Sequence, residues 1–176
     1  MSTILSYKIH TVTPYINWIY FFHAWGFQPR YAAIANIHGC DACRAMWLAS
    51  FPVEERNKAS EAMQLFKEAN RMLDVLDRDY EVRTIFKLCK ANSDGDNLVI
   101  EKAENQFMVF PLLRQQTPKK DGSPFLCLSD FIRPLSSGIP DTLGAFASSI
   151  DADMEGLYEQ DPYKHLLVQT LSDRLA

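Results

Sequence analysis

The stretch AMQLFKEANRMLDVLDRDYEVRTIFKLCKANSDGDNLVI, running from Ala62 to Ile100, changes its hydrophobic period in the middle. Its first half places Ala62, Leu65, Phe66, Ala69, Met72, Leu73 and Leu76 at spacings of three and four, with Glu61, Lys67, Glu68 and Arg71 on the other side. Such a stripe is what one face of an α-helix buries. After Asp79 the repeat shortens to two. Val82, Thr84, Phe86 and Leu88 alternate with Arg83, Ile85, Lys87 and Cys89, and the β-branched and aromatic content suits a pleated strand. Asn92 to Asn97 concentrates residues that tolerate positive φ or bond their own backbone, and Leu98-Val99-Ile100 resumes the apolar run, so a β-hairpin is predicted.

Working outward, Ser50 with Pro52 offers a start for the helix, since a serine oxygen caps free N–H groups and proline at the first helical position loses no bond. Further strands are predicted at Phe107–Phe110, Phe125–Leu128 and Leu143–Ala147, separated by turn-forming stretches. The end returns to helix, with Asp151 as a cap for Ala152–Gln160 and Asp161-Pro162 opening a last helix striped by Leu166, Leu167, Thr170, Leu171 and Leu175. No Gly or Asn closes that helix at Ala176, so the expectation is that the natural chain continues. The fold class predicted is α+β, with a mostly antiparallel sheet of at least four strands.

The 176 residues contain no internal repeat or low-complexity linker, and a prior of about 150 residues per domain predicts a single domain over 1–176. At 47% hydrophobic and 23% charged residues the composition is that of a globular protein, which excludes disorder. With 18 Lys and Arg against 22 Asp and Glu, a net charge of −4 offers no field for phosphate backbones, so no nucleic acid partner is expected. The longest apolar run, Trp18 to Phe22, is far too short to span a membrane, and the first ten residues lack a secretory pattern. A cytoplasmic protein with free thiols is expected.

Three constellations could carry chemistry. His38-Gly39-Cys40-Asp41-Ala42-Cys43 pairs a Cys-x-x-Cys with a histidine, the groups that zinc or a redox centre uses. With no second Cys-x-x-Cys, and with Cys89 and Cys127 isolated in predicted strands, the reading preferred is small cysteines packing at the start of a helix over Ala42–Ala49, with no metal. The run Tyr15 to Gly26 is aromatic enough to line a pocket for a flat ligand, but reads first as a core helix, and His23 within it as a satisfied partner. Arg114, followed by Gln115 and Gln116, could grip a carboxylate or phosphate in bidentate fashion, or anchor a loop carbonyl. No glycine-rich phosphate loop or nucleophile elbow is present.

Read together, Tyr15–Tyr31, Leu65-Phe66-Lys67-Glu68-Ala69-Asn70, Leu113-Arg114-Gln115-Gln116, Leu128-Ser129-Asp130-Phe131 and Leu143-Gly144-Ala145-Phe146-Ala147 resemble, in order and spacing, the activation domain of cobalamin-dependent methionine synthase. The likeness extends through Tyr163 and Asp173-Arg174-Leu175-Ala176. It implies an α+β fold, a twisted antiparallel sheet with surrounding helices. It also implies a reactivation module, an activation subunit or domain rather than a self-sufficient enzyme, that binds S-adenosylmethionine and docks on the cobalamin-bearing methionine synthase core. Flavodoxin or another reductase would supply one electron to cob(II)alamin and S-adenosylmethionine the methyl group, with cobalamin held by the partner and no acid–base catalytic residue on this chain. The family's Tyr-Ile-Asp-Trp segment corresponds to Tyr15-Ile16-Asn17-Trp18, which makes Asn17 the cofactor-binding residue carried over, with an amide where the family has a charge. The family's later Arg-Pro-Ala-Pro-Gly-Tyr-Pro segment has no counterpart up to Ala176. A docking module that binds the cobalamin protein without S-adenosylmethionine is the alternative.

Overall fold

The computed structural model describes residues 3–103, 106–154 and 156–176. In chain order the elements are β1 (Thr3–Lys8), α1 (Ile9–Val12), α2 (Trp18–Ala24), α3 (Asp41–Ala49), α4 (Arg56–Leu76), β2 (Glu81–Asp94), β3 (Asn97–Ala103), β4 (Gln106–Pro111), β5 (Asp141–Ile150) and α5 (Pro162–Leu175), with short 3₁₀ turns between several of them. The sheet runs β1-β2-β3-β4, and β5 also pairs with β2. The fold is α+β with a mostly antiparallel sheet, as the sequence predicts.

The chain forms two compact units. One comprises Ile4–Thr84 and Ser148–Ala176, and the other Ile85–Ala147 together with Thr3. In the helical unit α4 buries Ala59, Ala62, Leu65, Ala69, Met72, Leu73 and Leu76, the stripe read from the sequence extended by one turn at its start, except that Phe66 is only half-buried. The small side chains at Ala59, Ala62 and Ala69 let neighbouring elements approach closely, and α5 lays Leu167, Val168, Leu171 and Leu175 into the same core. Phe21 and Phe22 of α2 are fully buried there, so this part of the aromatic run is core, while Tyr15, Ile19 and Tyr20 stay exposed. Each such side chain contributes roughly 1.5–3 kcal/mol by leaving water.

In the sheet unit Asp94 pairs with Asn97 across a two-residue loop, Gly95-Asp96, where Gly95 takes a left-handed φ of 58°. A glycine adopts that conformation without a Cβ penalty, which is why the hairpin turns there. β3 and β4 continue antiparallel from Asn97↔Pro111 to Ala103↔Gln106, with an irregularity between Glu101 and Ala103. Gly144 of β5 lies so close to Phe86 that an added Cβ would meet the ring at 3.4 Å.

Three local expectations are corrected. Ser50 ends α3 rather than starting α4: its Oγ donates to the Trp47 carbonyl at 2.6 Å and its N–H to that of Met46 at 3.1 Å. The next helix begins only after a 3₁₀ turn at Val53–Glu55. Phe125–Leu128 is not a strand, because its polar partners are mostly side chains. Only the Gln115 N–H reaches the Leu126 carbonyl, the Leu126 N–H goes to Gln115 Oε1, and Asp130 draws the Cys127 N–H into a 3₁₀ turn at Leu128–Phe131. The helix predicted over Ala152–Gln160 is, among the described residues, a single 3₁₀ turn at Ala152–Met154 followed by turns; Glu155 lies outside them. Asp151 is occupied elsewhere, accepting from the Glu81 N–H and pairing with Arg83 at 2.8 Å. Asp161 does cap α5, accepting from the Lys164 N–H at 3.1 Å.

Candidate functional site

Asn17 stands at the start of α2. Its backbone is extended, at φ −80° and ψ 93°, and its Oδ1 accepts from the Ile19 N–H at 3.1 Å. That bond satisfies one of the amides a helix leaves free at its N-terminus. With Oδ1 committed, the two N–H groups of Nδ2 are what Asn17 can offer a ligand. The side chain lines an open cleft of about 500 Å³ with Tyr15, Ile19, Pro29, Ala33 and Asn36. Tyr15 is 85% exposed, a flat ring with little of its surface covered by the fold. The cleft has the size of a small-molecule site, its surface is polar and apolar in nearly equal parts, and its residues include no carboxylate.

A second cleft, of about 350 Å³, shares Ile16, Trp18, Ala35 and Asn36 with the first and reaches His10 and Asp77. The His10 N–H donates to Asp77 Oδ1 at 2.9 Å, and the ring Nδ1 lies 2.8 Å from Oδ2. The backbone N–H, followed by the imidazole, holds the Asp77 carboxyl below its usual range. Farther along α4, Glu68 accepts from Gln64 Nε2 at 2.7 Å and from the Tyr163 hydroxyl, whose ring packs edge-on against Trp25 at 5.4 Å. Burial, then the bond to Glu68, pushes the Tyr163 phenol above its ordinary range. Sequence reasoning missed both pairs. Their members lie 67 and 95 residues apart, and no periodic signal links positions at such separations.

Arg114 resolves the other way. Its five N–H groups make five bonds, two to Asp96, two to Asp130 and one to the Phe125 carbonyl, all at 2.6–3.0 Å. The two aspartates hold its guanidinium charged well above the ordinary range, and Arg114 with the Cys127 N–H lowers Asp130 to about 2. The bidentate grip is therefore internal, locking the Phe125–Phe131 loop to the β2–β3 turn, and no donor is left for a ligand.

At the start of α3, Cys40 is the N-cap residue and its Sγ accepts from the Cys43 N–H at 3.2 Å. Hydrogen bonds from Cys43 and His38 lower the Cys40 thiol to about 7, while the same partnership raises that of Cys43. Both cysteines are half-buried and His38 is exposed, and one ligand atom from each lies within 4.8 Å of the others. His23 is exposed near the end of α2, with no side-chain hydrogen bond among the described residues.

No helix among the described residues is long and apolar enough to cross a membrane. Residues 8–176 match the family model described as vitamin B12 dependent methionine synthase, activation domain. A solved structure, that of the MetH reactivation domain bound to AdoHcy, aligns with all of this chain at 32% sequence identity and a TM-score of 0.73. The alignment covers 51% of that protein, so this chain spans about half its length.

Proposed function

The chain belongs to the activation-domain family of vitamin B12 dependent methionine synthase, and from that premise we propose that it serves as a reactivation module using S-adenosylmethionine. The observation that carries the reading is the likeness, over all of this chain, to a reactivation domain bound to AdoHcy, the molecule that S-adenosylmethionine becomes on giving up its methyl group. S-adenosylmethionine supplies the methyl group and an external reductant, flavodoxin or a reductase, one electron, so that cob(II)alamin on a methionine synthase core is methylated and AdoHcy remains.

This chain's share of that work is binding and orientation. The cleft beside Asn17 fits such a ligand in volume and in its mix of flat apolar and polar surface. Asn17 offers amide donors to the ligand's carboxylate or other acceptors, and Tyr15 an uncovered ring for the adenine to stack on. Because the cleft residues include no carboxylate, the sulfonium and ammonium of the ligand gain no counter-charge from them. The helix cap keeps Asn17 in place before the ligand arrives, so no ordering cost falls on binding at that residue. Docking on the core is weak and exchangeable in this reading, because the module must give way to the domains that run normal turnover.

Calorimetric titration of S-adenosylmethionine into the 176-residue chain, and into a chain extended to the length of the solved relative, tests the proposal. Saturable one-to-one binding in the extended chain, and restored turnover of oxidised methionine synthase with a reductant, are the expected results. Failure of a folded extended chain to bind, combined with capture of the cobalamin protein, would establish the docking module instead.

A further inference from the structure

We propose that His38, Cys40 and Cys43 form a zinc site with two thiolates, one imidazole and an open fourth position. The three ligand atoms come from one short stretch, 38–43, in which a loop residue runs directly into the first turn of a helix. Cys40 and Cys43 sit at the N-cap and third residue of α3, a helix fixed by burial of Trp47. His38 sits on the loop after the 3₁₀ helix Pro29–Asn36, next to Ile37, which is packed against the core of the helical unit.

The convergence has the dimensions of a tetrahedral centre. Zinc binds sulfur at about 2.3 Å and imidazole nitrogen at about 2.0–2.1 Å, so ligand atoms on neighbouring tetrahedral corners stand roughly 3.5–3.8 Å apart. All three atoms here lie within 4.8 Å of one another, an upper bound about 1 Å wider than that spacing. Two thiolates and a neutral imidazole balance the 2+ charge of zinc, so the loaded site is electrically neutral. The Cys43 N–H donates to Cys40 Sγ at 3.2 Å, a bond that a metal-bound sulfur at the helix N-cap can also accept. Of the charged neighbours, Arg44 pairs with fully exposed Asp41 at 3.6 Å and its guanidinium also lies beside Gly39, so Asp41 partly offsets the nearest positive charge.

A thiol-redox pair would need only the two cysteines; the histidine arriving at the same point is what favours a metal. Three protein ligands and an exposed edge leave the fourth corner to water, the arrangement of zinc sites that keep a position open. The ion would tie the 37–40 loop to the first turn of α3. Nothing in this argument depends on S-adenosylmethionine or on reactivation, so it stands or falls separately.

The test uses the reduced 176-residue chain and Zn²⁺ or Co²⁺ alone. Zinc is titrated against a chromophoric chelator, cobalt is followed by its thiolate charge-transfer and visible bands, and alkylation of each cysteine is read by mass spectrometry. One ion per chain, an S₂N tetrahedral cobalt spectrum, and zinc protection of Cys40 and Cys43 but not of half-buried Cys89 are expected. His38→Ala, Cys40→Ser and Cys43→Ser should each weaken zinc binding roughly tenfold or more, with helicity retained in the circular dichroism spectrum. Absence of stoichiometric binding, binding that survives Cys40→Ser and Cys43→Ser, or a Cys40–Cys43 disulfide formed in place of metal binding would each overturn the proposal.

Discussion

Replacing Asn17 separates its two roles, because each substitution keeps or removes a different part of the side chain. Asn17→Ala deletes the Oδ1 that accepts from the Ile19 N–H at 3.1 Å and leaves the first turn of α2 uncapped. Such a loss costs about 1 kcal/mol, within a range of about 0.5–2. For a chain of this size that lowers Tm by roughly 2–4 °C. Asn17→Asp keeps the acceptor and adds a negative charge at a helix N-terminus, so stability should hold or rise by about 0.3–1 kcal/mol. The same aspartate gives the cleft the carboxylate that its lining lacks. A cationic centre about 8 Å away, at an effective dielectric of about 20, then gains about 2 kcal/mol. S-adenosylmethionine carries a sulfonium where AdoHcy carries a neutral sulfur. Asn17→Asp should therefore raise the preference for S-adenosylmethionine over AdoHcy by about tenfold or more. Thermal unfolding and paired calorimetric titrations in the extended chain measure both effects. An unchanged ratio of the two affinities would remove Asn17 from the ligand site, and an Asn17→Ala variant as stable as the parent would refute the cap argument.

Two further outcomes follow from the packing and the charges. Leu171→Ala, at a fully buried position in α5, should destabilise the chain by about 2–5 kcal/mol in urea unfolding, whereas Leu166→Ala, at a position 49% exposed on the same helix, should stay within about 0.5 kcal/mol. Asp130, lowered to about 2 by Arg114 and the Cys127 N–H, binds protons less readily folded than unfolded. Its contribution to stability is complete above the unfolded carboxyl range near pH 4 and is lost as pH falls toward 2. An Arg114→Met variant, unfolded in urea at a series of pH values, should show a shallower loss of stability over that window; an undiminished slope would mean that other carboxylates carry it.

Much of the fold could be read along the chain because periodicity is local. The stripe from Ala62 to Leu76 and the alternation from Val82 each arise from residues within a few positions of one another; burial follows the helical stripe apart from half-buried Phe66, whereas along β2 Val82 is buried but Phe86 and Leu88 of the same alternation are exposed. Phe125–Leu128 misled because a short apolar run fits a strand, yet it lacks a neighbouring ladder and Asp130 takes the Cys127 N–H at the start of the 3₁₀ turn Leu128–Phe131. The aromatic run from Tyr15 was ambiguous in the same way: composition could not distinguish a core helix from a pocket wall. Both descriptions hold for different residues, Phe21 and Phe22 being buried while Tyr15 and Ile19 line an open cleft.

By itself the sequence determined the α+β class, the β2–β3 hairpin, the α5 cap at Asp161 and, through separated blocks in order, the family to which the chain belongs. These depend on near-neighbour spacing or on identities that survive without coordinates. Only the tertiary structure decided that Arg114 is spent on Asp96 and Asp130, that Glu68 meets Tyr163 and that His10 meets Asp77. A side chain's free donors and its neighbours in space are set by how distant segments pack. Sequence spacing carries that information only within a turn or two of helix or strand.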